Sequence, residues 1–166
     1  MTKLVLMGVS GCGKSSVGAA LAARLGCIYL DGDDLHPPGN IAKMRNGIPL
    51  EDDDRWPWLD ALAQSLVRAD GTVIIGCSAL KRAYRDRIRD GAGSPVFFVH
   101  LAGSRAVIAA RVSNRPGHFM PAALLDSQFA ALEPPQPDER AVTVDIDQPF
   151  DQLVSVITAA FREELV

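Results

Sequence analysis

The sequence has few cysteines, no long apolar run and no excess of one charge, and each absence removes a class of protein. Three cysteines in 166 residues are an odd number without the spacing of a metal site, so we expect free thiols in a cytoplasmic protein. No apolar segment approaches the roughly 20 residues that span a bilayer, and Lys3 leads directly into a predicted strand, unlike a signal peptide. Seventeen basic and 20 acidic side chains give a net charge of −3, which argues against a nucleic-acid or membrane partner.

Internal repeats, low-complexity segments and interdomain linkers are also missing. The proline-rich piece at residues 133–137 is too short for a linker, and the chain is long enough for one substantial core. We therefore expect residues 1–166 to form a single domain. Apolar runs that alternate with amphipathic helical segments predict a parallel α/β sheet with right-handed crossovers.

The clearest motif lies near the start of the chain. A predicted strand leads into Gly8 and, four residues later, into Gly13-Lys14-Ser15, which is the spacing of a phosphate-binding loop. Glycines let backbone N–H groups turn towards a phosphate, and the N-terminus of the following helix attracts anions. Lys14 can reach the β- and γ-phosphates, and the Ser15 hydroxyl can hold Mg²⁺. The predicted nucleotide-binding residues are Gly8, Val9, Ser10, Gly11, Cys12, Gly13, Lys14, Ser15 and Ser16.

Polar residues follow the next predicted strands, and ligands of open α/β sheets bind at those strand ends. Asp31 and Asp33 follow the second strand. We expect Asp31 to orient Mg²⁺ through water and Asp33 to accept a hydrogen bond from an acceptor hydroxyl, although both acids could instead cap the next helix. Ser78 and Lys81 follow the third strand, where a polar substrate would lie; an ordinary solvated lysine is an equally good interpretation of Lys81.

Three arginines are candidates for binding anions. Arg55 lies in the first turn of a helix predicted at residues 54–69, where the helix dipole disfavours a cation, so we interpret it as a ligand for a carboxylate. Arg111 and Arg115 share one helical face just before a break at Gly117. We expect them to belong to a mobile lid that brings positive charge to a transferring phosphate, with surface arginines on a charged helix as the alternative.

The histidines lack metal-ligand spacing. His36 and His118 flank predicted site loops and are expected to form hydrogen bonds with a substrate rather than to bind a metal. His100 lies in a predicted strand and is expected to be structural.

Beyond these motifs, the chain resembles the gluconate kinase family along nearly its whole length. The segments that carry the resemblance are in order and consistently spaced: residues 7–15, 30–33, 35–37, 40–41, 43–44, 47, 49–50, 52–55, 57–59, 77–81, 84–86, 117–120, 128–129, 138–139 and 144–146. Two departures are Cys12, where serine is common, and Pro116, where lysine is common. Because of the second departure, the resemblance does not determine the lid's contacts with phosphate at this position.

The resemblance implies ATP- and Mg²⁺-dependent phosphorylation of the 6-hydroxyl of D-gluconate, giving 6-phosphogluconate for the pentose phosphate or Entner–Doudoroff routes. It also implies a three-layer α/β/α P-loop kinase fold like that of nucleoside-monophosphate and shikimate kinases. The expected sheet is five-stranded and parallel with order 2-3-1-4-5, and the protein is usually a homodimer. The substrate-binding segment would be about residues 34–60 and the lid about 111–122.

The implied site residues fall into two groups. The catalytic residues would be Lys14, Asp33, Arg111 and Arg115. The acceptor contacts would be Asp33, His36, Lys43, Arg55, Ser78, Lys81, His118 and Gln128. Two alternatives remain open at this point: a shikimate- or nucleotide-type kinase, and a non-kinase nucleotide-binding regulator, against which the sequence has no Asn-Lys-x-Asp guanine motif.

Overall fold

The computed structural model describes residues 2–114 and 122–165. Five parallel strands form one sheet with the order β2-β3-β1-β4-β5, which confirms the predicted sheet. The strands are β1 (Lys3–Met7), β2 (Ile28–Asp31), β3 (Val73–Gly76), β4 (Val96–Ala102) and β5 (Ala141–Asp145). Strand β1 is central, and all five of its residues are buried, as expected for a strand covered on both faces.

Helices cover both faces of the sheet. They are α1 (Lys14–Leu25), α2 (Pro38–Arg45), α3 (Asp52–Arg68), α4 (Arg82–Ala92), α5 (Arg105–Ser113), α6 (Ala122–Ala131) and α7 (Phe150–Leu165), with a 3₁₀ turn at Gly32–Leu35. Leu4 and Leu6 of β1 belong to the core cluster that includes Phe161 of α7, whereas Val5 and Met7 belong to the cluster that includes Leu62 of α3. Successive strand residues therefore supply two cores, one on each side of the sheet.

Helix α3 begins two residues earlier than the sequence pattern predicts. Glu51 and Asp54 form a capping box, in which each side chain accepts a hydrogen bond from the backbone N–H of the other. This box satisfies free N–H groups at the helix start and extends the helix to Asp52. Arg55 still lies in the first turn.

The sheet brings the candidate site together at one edge. Asp31 is in register with Gly76, and Gly76 is in register with Leu6 of β1. The carboxyl ends of β1, β2 and β3 therefore meet, and the segments that follow them face a common space. No helix within residues 2–114 or 122–165 combines the length and apolar character needed to cross a membrane.

Candidate active site

The loop between β1 and α1 is shaped by its glycines. Gly8, Gly11 and Gly13 have φ values of +147°, +86° and +100°, which side-chain-bearing residues rarely adopt. A Cβ on Gly8 would lie 2.9 Å from the carbonyl oxygen of Leu101, and one on Gly11 would lie 2.5 Å from Cγ2 of Val112. The loop therefore requires glycine both for its turn and for its close packing.

Lys14 and Ser15 open helix α1 beside a recess of about 150 Å³. The Lys14 ammonium donates hydrogen bonds to the carbonyl oxygens of Gly8 (2.9 Å) and Val9 (3.2 Å), so its charge lies over the loop. The recess is lined by Ser10, Gly11, Gly13, Lys14, Ser15, Tyr29, Asp31, Asp33 and Gly76. Cationic and hydroxyl groups thus face two carboxylates across a space suited to a phosphate and a hard cation.

Two predicted site residues support the loop from the far side. The side chain of Gln128 accepts a hydrogen bond from the Ser10 N–H at 2.7 Å and donates one to the Ser10 hydroxyl at 2.9 Å. Arg111 donates to the carbonyl oxygen of Ile146 at 2.6 Å, and its Nη1 lies 3.8 Å from where a Cβ on Gly13 would be. The structure therefore places Gln128 and Arg111 against the nucleotide loop.

The two strand-end carboxylates have different surroundings. Asp31 accepts a hydrogen bond from the Asp33 N–H at 2.9 Å and so caps the 3₁₀ turn. The Asp33 side chain is 77% exposed, yet it projects into the recess. Desolvation in this recess and the negative charges of Asp31 and Asp34 raise the pKa of Asp33. The positive charge of Lys14 partly opposes the rise.

His36 packs between the strand-end acids and helix α3. Its ring stacks on Trp58 with centroids 4.1 Å apart, and its Nε2 lies 4.0 Å from Oδ1 of Asp33. Burial, together with the charge of Arg55, lowers the pKa of His36. A neutral imidazole therefore stands next to Asp33.

Arg55 and Lys81 converge from two elements on one carboxylate. Nη1 of Arg55 and Nζ of Lys81 each lie 3.6 Å from Oδ1 of Asp52, and both cations lie beside the Tyr84 ring. The Tyr84 hydroxyl donates a hydrogen bond to the same carboxylate. Lys43, by contrast, is paired with Asp54 at 2.8 Å. The structure therefore brings Arg55 and Lys81 together and engages Lys43 elsewhere.

Comparisons with known proteins agree on one family. A family model described as an AAA domain matches residues 4–135. The thermosensitive gluconokinase of Escherichia coli K12 is 53% identical over 148 residues, which cover 86% of this chain and 78% of that protein. The gluconokinase of Gluconobacter oxydans 621H is 46% identical over 165 residues, which cover 97% and 92%. A solved gluconokinase structure from Sinorhizobium meliloti 1021 matches with a TM-score of 0.91 at 49% identity, over 98% of this chain and 92% of that one.

This chain belongs to the gluconokinase family. It is therefore a phosphotransferase of the P-loop kinase fold. Two residues that the family resemblance places at the site, Arg115 and His118, lie outside the described residues.

Sequence reasoning missed the buried ion pair that holds the turn at residues 77–81 of this gluconokinase-family protein. Ala79 has a φ of +43°, and its carbonyl oxygen accepts a hydrogen bond from the fully buried Arg85 at 2.9 Å. Arg85 forms two hydrogen bonds to Glu139, at 2.7 and 3.0 Å. Burial raises the pKa of Glu139, but hydrogen bonds from Arg85, the Gln136 N–H and other donors prevail and hold it at about 2. The available signal was the position of Arg85, three residues before the buried Ile88.

Tyr29 is a second residue that the sequence patterns did not indicate. A Cβ on Gly18 of α1 would lie 2.3 Å from its ring, and a Cβ on Gly76 would lie 2.1 Å from its hydroxyl. Two glycines therefore make room for one ring that lines the phosphate recess. A glycine inside a helix was the available signal, because it is unfavourable there without a packing reason.

Proposed function

We propose that this protein transfers the γ-phosphoryl group of ATP to the 6-hydroxyl of D-gluconate. The supporting observation is that Asp33 lines the recess of the phosphate-binding loop and also lies 4.0 Å from His36, whose pKa is lowered by burial and by the charge of Arg55. Arg55 and Lys81 form a pair of cations beside Asp52, and the curated relatives carry the name gluconokinase. The same proposal includes cytoplasmic location and a homodimer, and the first of these is consistent with three free cysteines.

The residues of the recess fit Mg²⁺. Ser15 and Asp31 offer oxygen ligands, which this hard cation prefers, and Mg²⁺ characteristically keeps several waters. Within the described residues, no group of three or more His, Cys, Asp or Glu side chains could hold a metal alone, consistent with a cation bound mainly through phosphate and water. When bound, Mg²⁺ would neutralise developing charge on the phosphates. Ser15 would contact it directly, and Asp31 would do so through water.

On the acceptor side, the charges match a monoanion. Asp52 offsets one of the two positive charges of Arg55 and Lys81, which leaves one for a substrate carboxylate. Guanidinium groups bind carboxylates through paired hydrogen bonds. The remaining acceptor contacts are proposed for the hydroxyl groups of the sugar acid, and they are His36, Lys43, Ser78, His118 and Gln128.

Asp33 would orient the attacking hydroxyl. Its raised pKa makes it a better proton acceptor than an ordinary aspartate. Lys14, Arg111 and Arg115 would balance the charge spread over the transferring group. Closure of the predicted lid at residues 111–122, of which 115–121 lie outside the described residues, would exclude water, which would otherwise consume ATP. Ligand-induced protection from hydrogen exchange in this segment is the measurement; identical exchange with and without ligands would refute the lid.

An acceptor panel tests the function. ADP release is measured with ATP and Mg²⁺ in the presence of D-gluconate, shikimate, a nucleoside monophosphate or no acceptor. D-Glucitol is the matched control, because it has the same chain of hydroxyl groups without the carboxylate that Arg55 and Lys81 would bind. We expect gluconate to give the highest kcat/KM and glucitol to be poor. Faster reaction with shikimate or a nucleotide, or GTP hydrolysis without any acceptor, would overturn the proposal.

A further inference from the structure

Asn40 joins two acceptors through a single nitrogen. It is 5% exposed and lies in α2, where its Nδ2 donates to the carbonyl oxygen of Asp54 at 2.8 Å. The same Nδ2 lies 3.2 Å from Nδ1 of His36. A backbone carbonyl oxygen can only accept a hydrogen bond, so Asp54 determines which end of the Asn40 amide carries hydrogen.

This orientation determines the protonation of His36. Both hydrogens of the Asn40 amide are committed to donation, one to Asp54 and the other towards Nδ1 of His36. A hydrogen on Nδ1 would place two donors face to face. Nδ1 must therefore present its lone pair, and the single proton of a neutral imidazole lies on Nε2.

The Nε2–H group lies close to Asp33, the residue proposed to orient the attacking hydroxyl. Nε2 is the atom that lies 4.0 Å from Oδ1 of Asp33. Stacking on Trp58, with an interplanar angle of 16°, fixes the plane of the ring and hence the direction of this N–H group.

We propose that Asn40 is a positioning residue, which holds His36 as the neutral Nε2–H tautomer and so presents a hydrogen-bond donor beside Asp33. The identity of the acceptor it serves rests on the proposed function. A neutral His36 leaves the Asp33 carboxylate free to accept a proton from the substrate, whereas an imidazolium would pair with it and reduce its basicity.

The charges around His36 oppose one another. Arg55 acts on it from α3 and disfavours the imidazolium, whereas the Asp33 carboxylate of the 3₁₀ turn, 4.0 Å from Nε2, favours it. Burial and the Arg55 charge both disfavour the imidazolium.

The tautomer can be measured on the protein alone. Long-range ¹H–¹⁵N spectra of histidine-labelled protein near pH 7 distinguish the two neutral tautomers from the imidazolium, and His36→Gln assigns the signal. We expect a protonated Nε2 and an unprotonated Nδ1. A proton on Nδ1, or an imidazolium, would overturn the proposal. Because no gluconate is present, this outcome is independent of the acceptor panel.

Two pairs of variants test the role in the site. Asn40→Asp has nearly the same shape but can only accept, so we expect His36 to gain a proton on Nδ1 and kcat/KM to fall about tenfold or more. Gln64→Glu adds the same charge at an exposed position of α3 outside the proposed substrate-binding segment and should change neither. A wild-type His36 spectrum and rate in Asn40→Asp would refute the role.

The second pair substitutes His36 itself. Glutamine can place an N–H group near the position of Nε2, whereas asparagine places one near Nδ1. We expect His36→Gln to retain about ten times more kcat/KM than His36→Asn. Equal loss in the two variants would refute donation from Nε2.

Discussion

His100 should make the stability of this protein fall steeply in mild acid. It lies in β4 between Met7 of β1 and Thr143 of β5, and it is 4% exposed. Its Nδ1 has no hydrogen-bond partner among the residues that the structure describes. Burial, reinforced by the charge of Arg85, lowers the pKa of His100 from 6.5 to about 4. The fold therefore accommodates the neutral ring and resists its protonation.

The size of the effect follows from proton linkage. The unfolded chain binds a proton at His100 near pH 6.5, whereas the folded chain does so only near pH 4. Between these values the unfolded state holds more protons, so the free energy of unfolding decreases as the pH falls. The contribution of His100 to this loss is about 2 kcal/mol by pH 5 and approaches about 3 kcal/mol at lower pH.

Urea unfolding of the wild type and of His100→Gln at pH 7.5 and pH 5 measures this contribution. The difference at pH 7.5 reports the change in packing, because His100 is neutral there in both folded and unfolded chains. We expect the wild-type advantage to shrink by about 2 kcal/mol at pH 5. His36, whose pKa is also lowered, affects both proteins equally. Parallel losses in the two proteins would refute a neutral buried His100.

Three further predictions concern the site and its packing. Arg55→Ala should raise KM for gluconate about 10–100-fold with little change in kcat, because ground-state binding is lost; Arg87→Ala, which removes an exposed ion pair with an acid of α3, is the control and should leave KM unchanged. Asp33→Asn should lower kcat by on the order of 10²–10⁴ without changing the melting temperature, and a near-wild-type rate would exclude the orienting role. Gly18→Ala should destabilise the fold by about 1–3 kcal/mol in chemical unfolding, because its Cβ would meet the Tyr29 ring at 2.3 Å. An increase in stability, as helix propensity alone would give, would contradict that packing.

Local patterns predicted the elements of the fold well. The strand predicted between Lys3 and Gly8 is β1 (Lys3–Met7), because neighbours along the chain decide such an element. The order of the strands could not be predicted from local patterns. It depends on crossovers between distant segments, and it came from the family resemblance rather than from periodicity. The early start of α3 was missed because the pairing of Glu51 with Asp54 was not considered.

Contacts between distant residues account for most of what the sequence did not reveal in the site. Lys43 and Gln128 were both expected at the acceptor, yet one pairs with Asp54 and the other holds Ser10, 118 residues away. Neither contact can be predicted from the spacing of residues along the chain. These two residues remain predicted substrate contacts, and their observed partners show which groups a substrate would have to share or displace.

Arg85 of α4 illustrates why the residues that support a site are difficult to predict from the sequence. A helix rich in arginine indicates a solvated surface, and Arg82 and Arg87 follow that rule. Arg85 does not, because it supports Ala79 in a left-handed conformation that disfavours an L residue by about 1–2 kcal/mol. A hydrogen bond from a charged donor contributes about 1.5–3 kcal/mol, which is enough to offset that strain. The ion pair with Glu139 in turn keeps the guanidinium charge balanced. The turn that carries Lys81, a proposed acceptor contact, therefore depends on a carboxylate far along the chain.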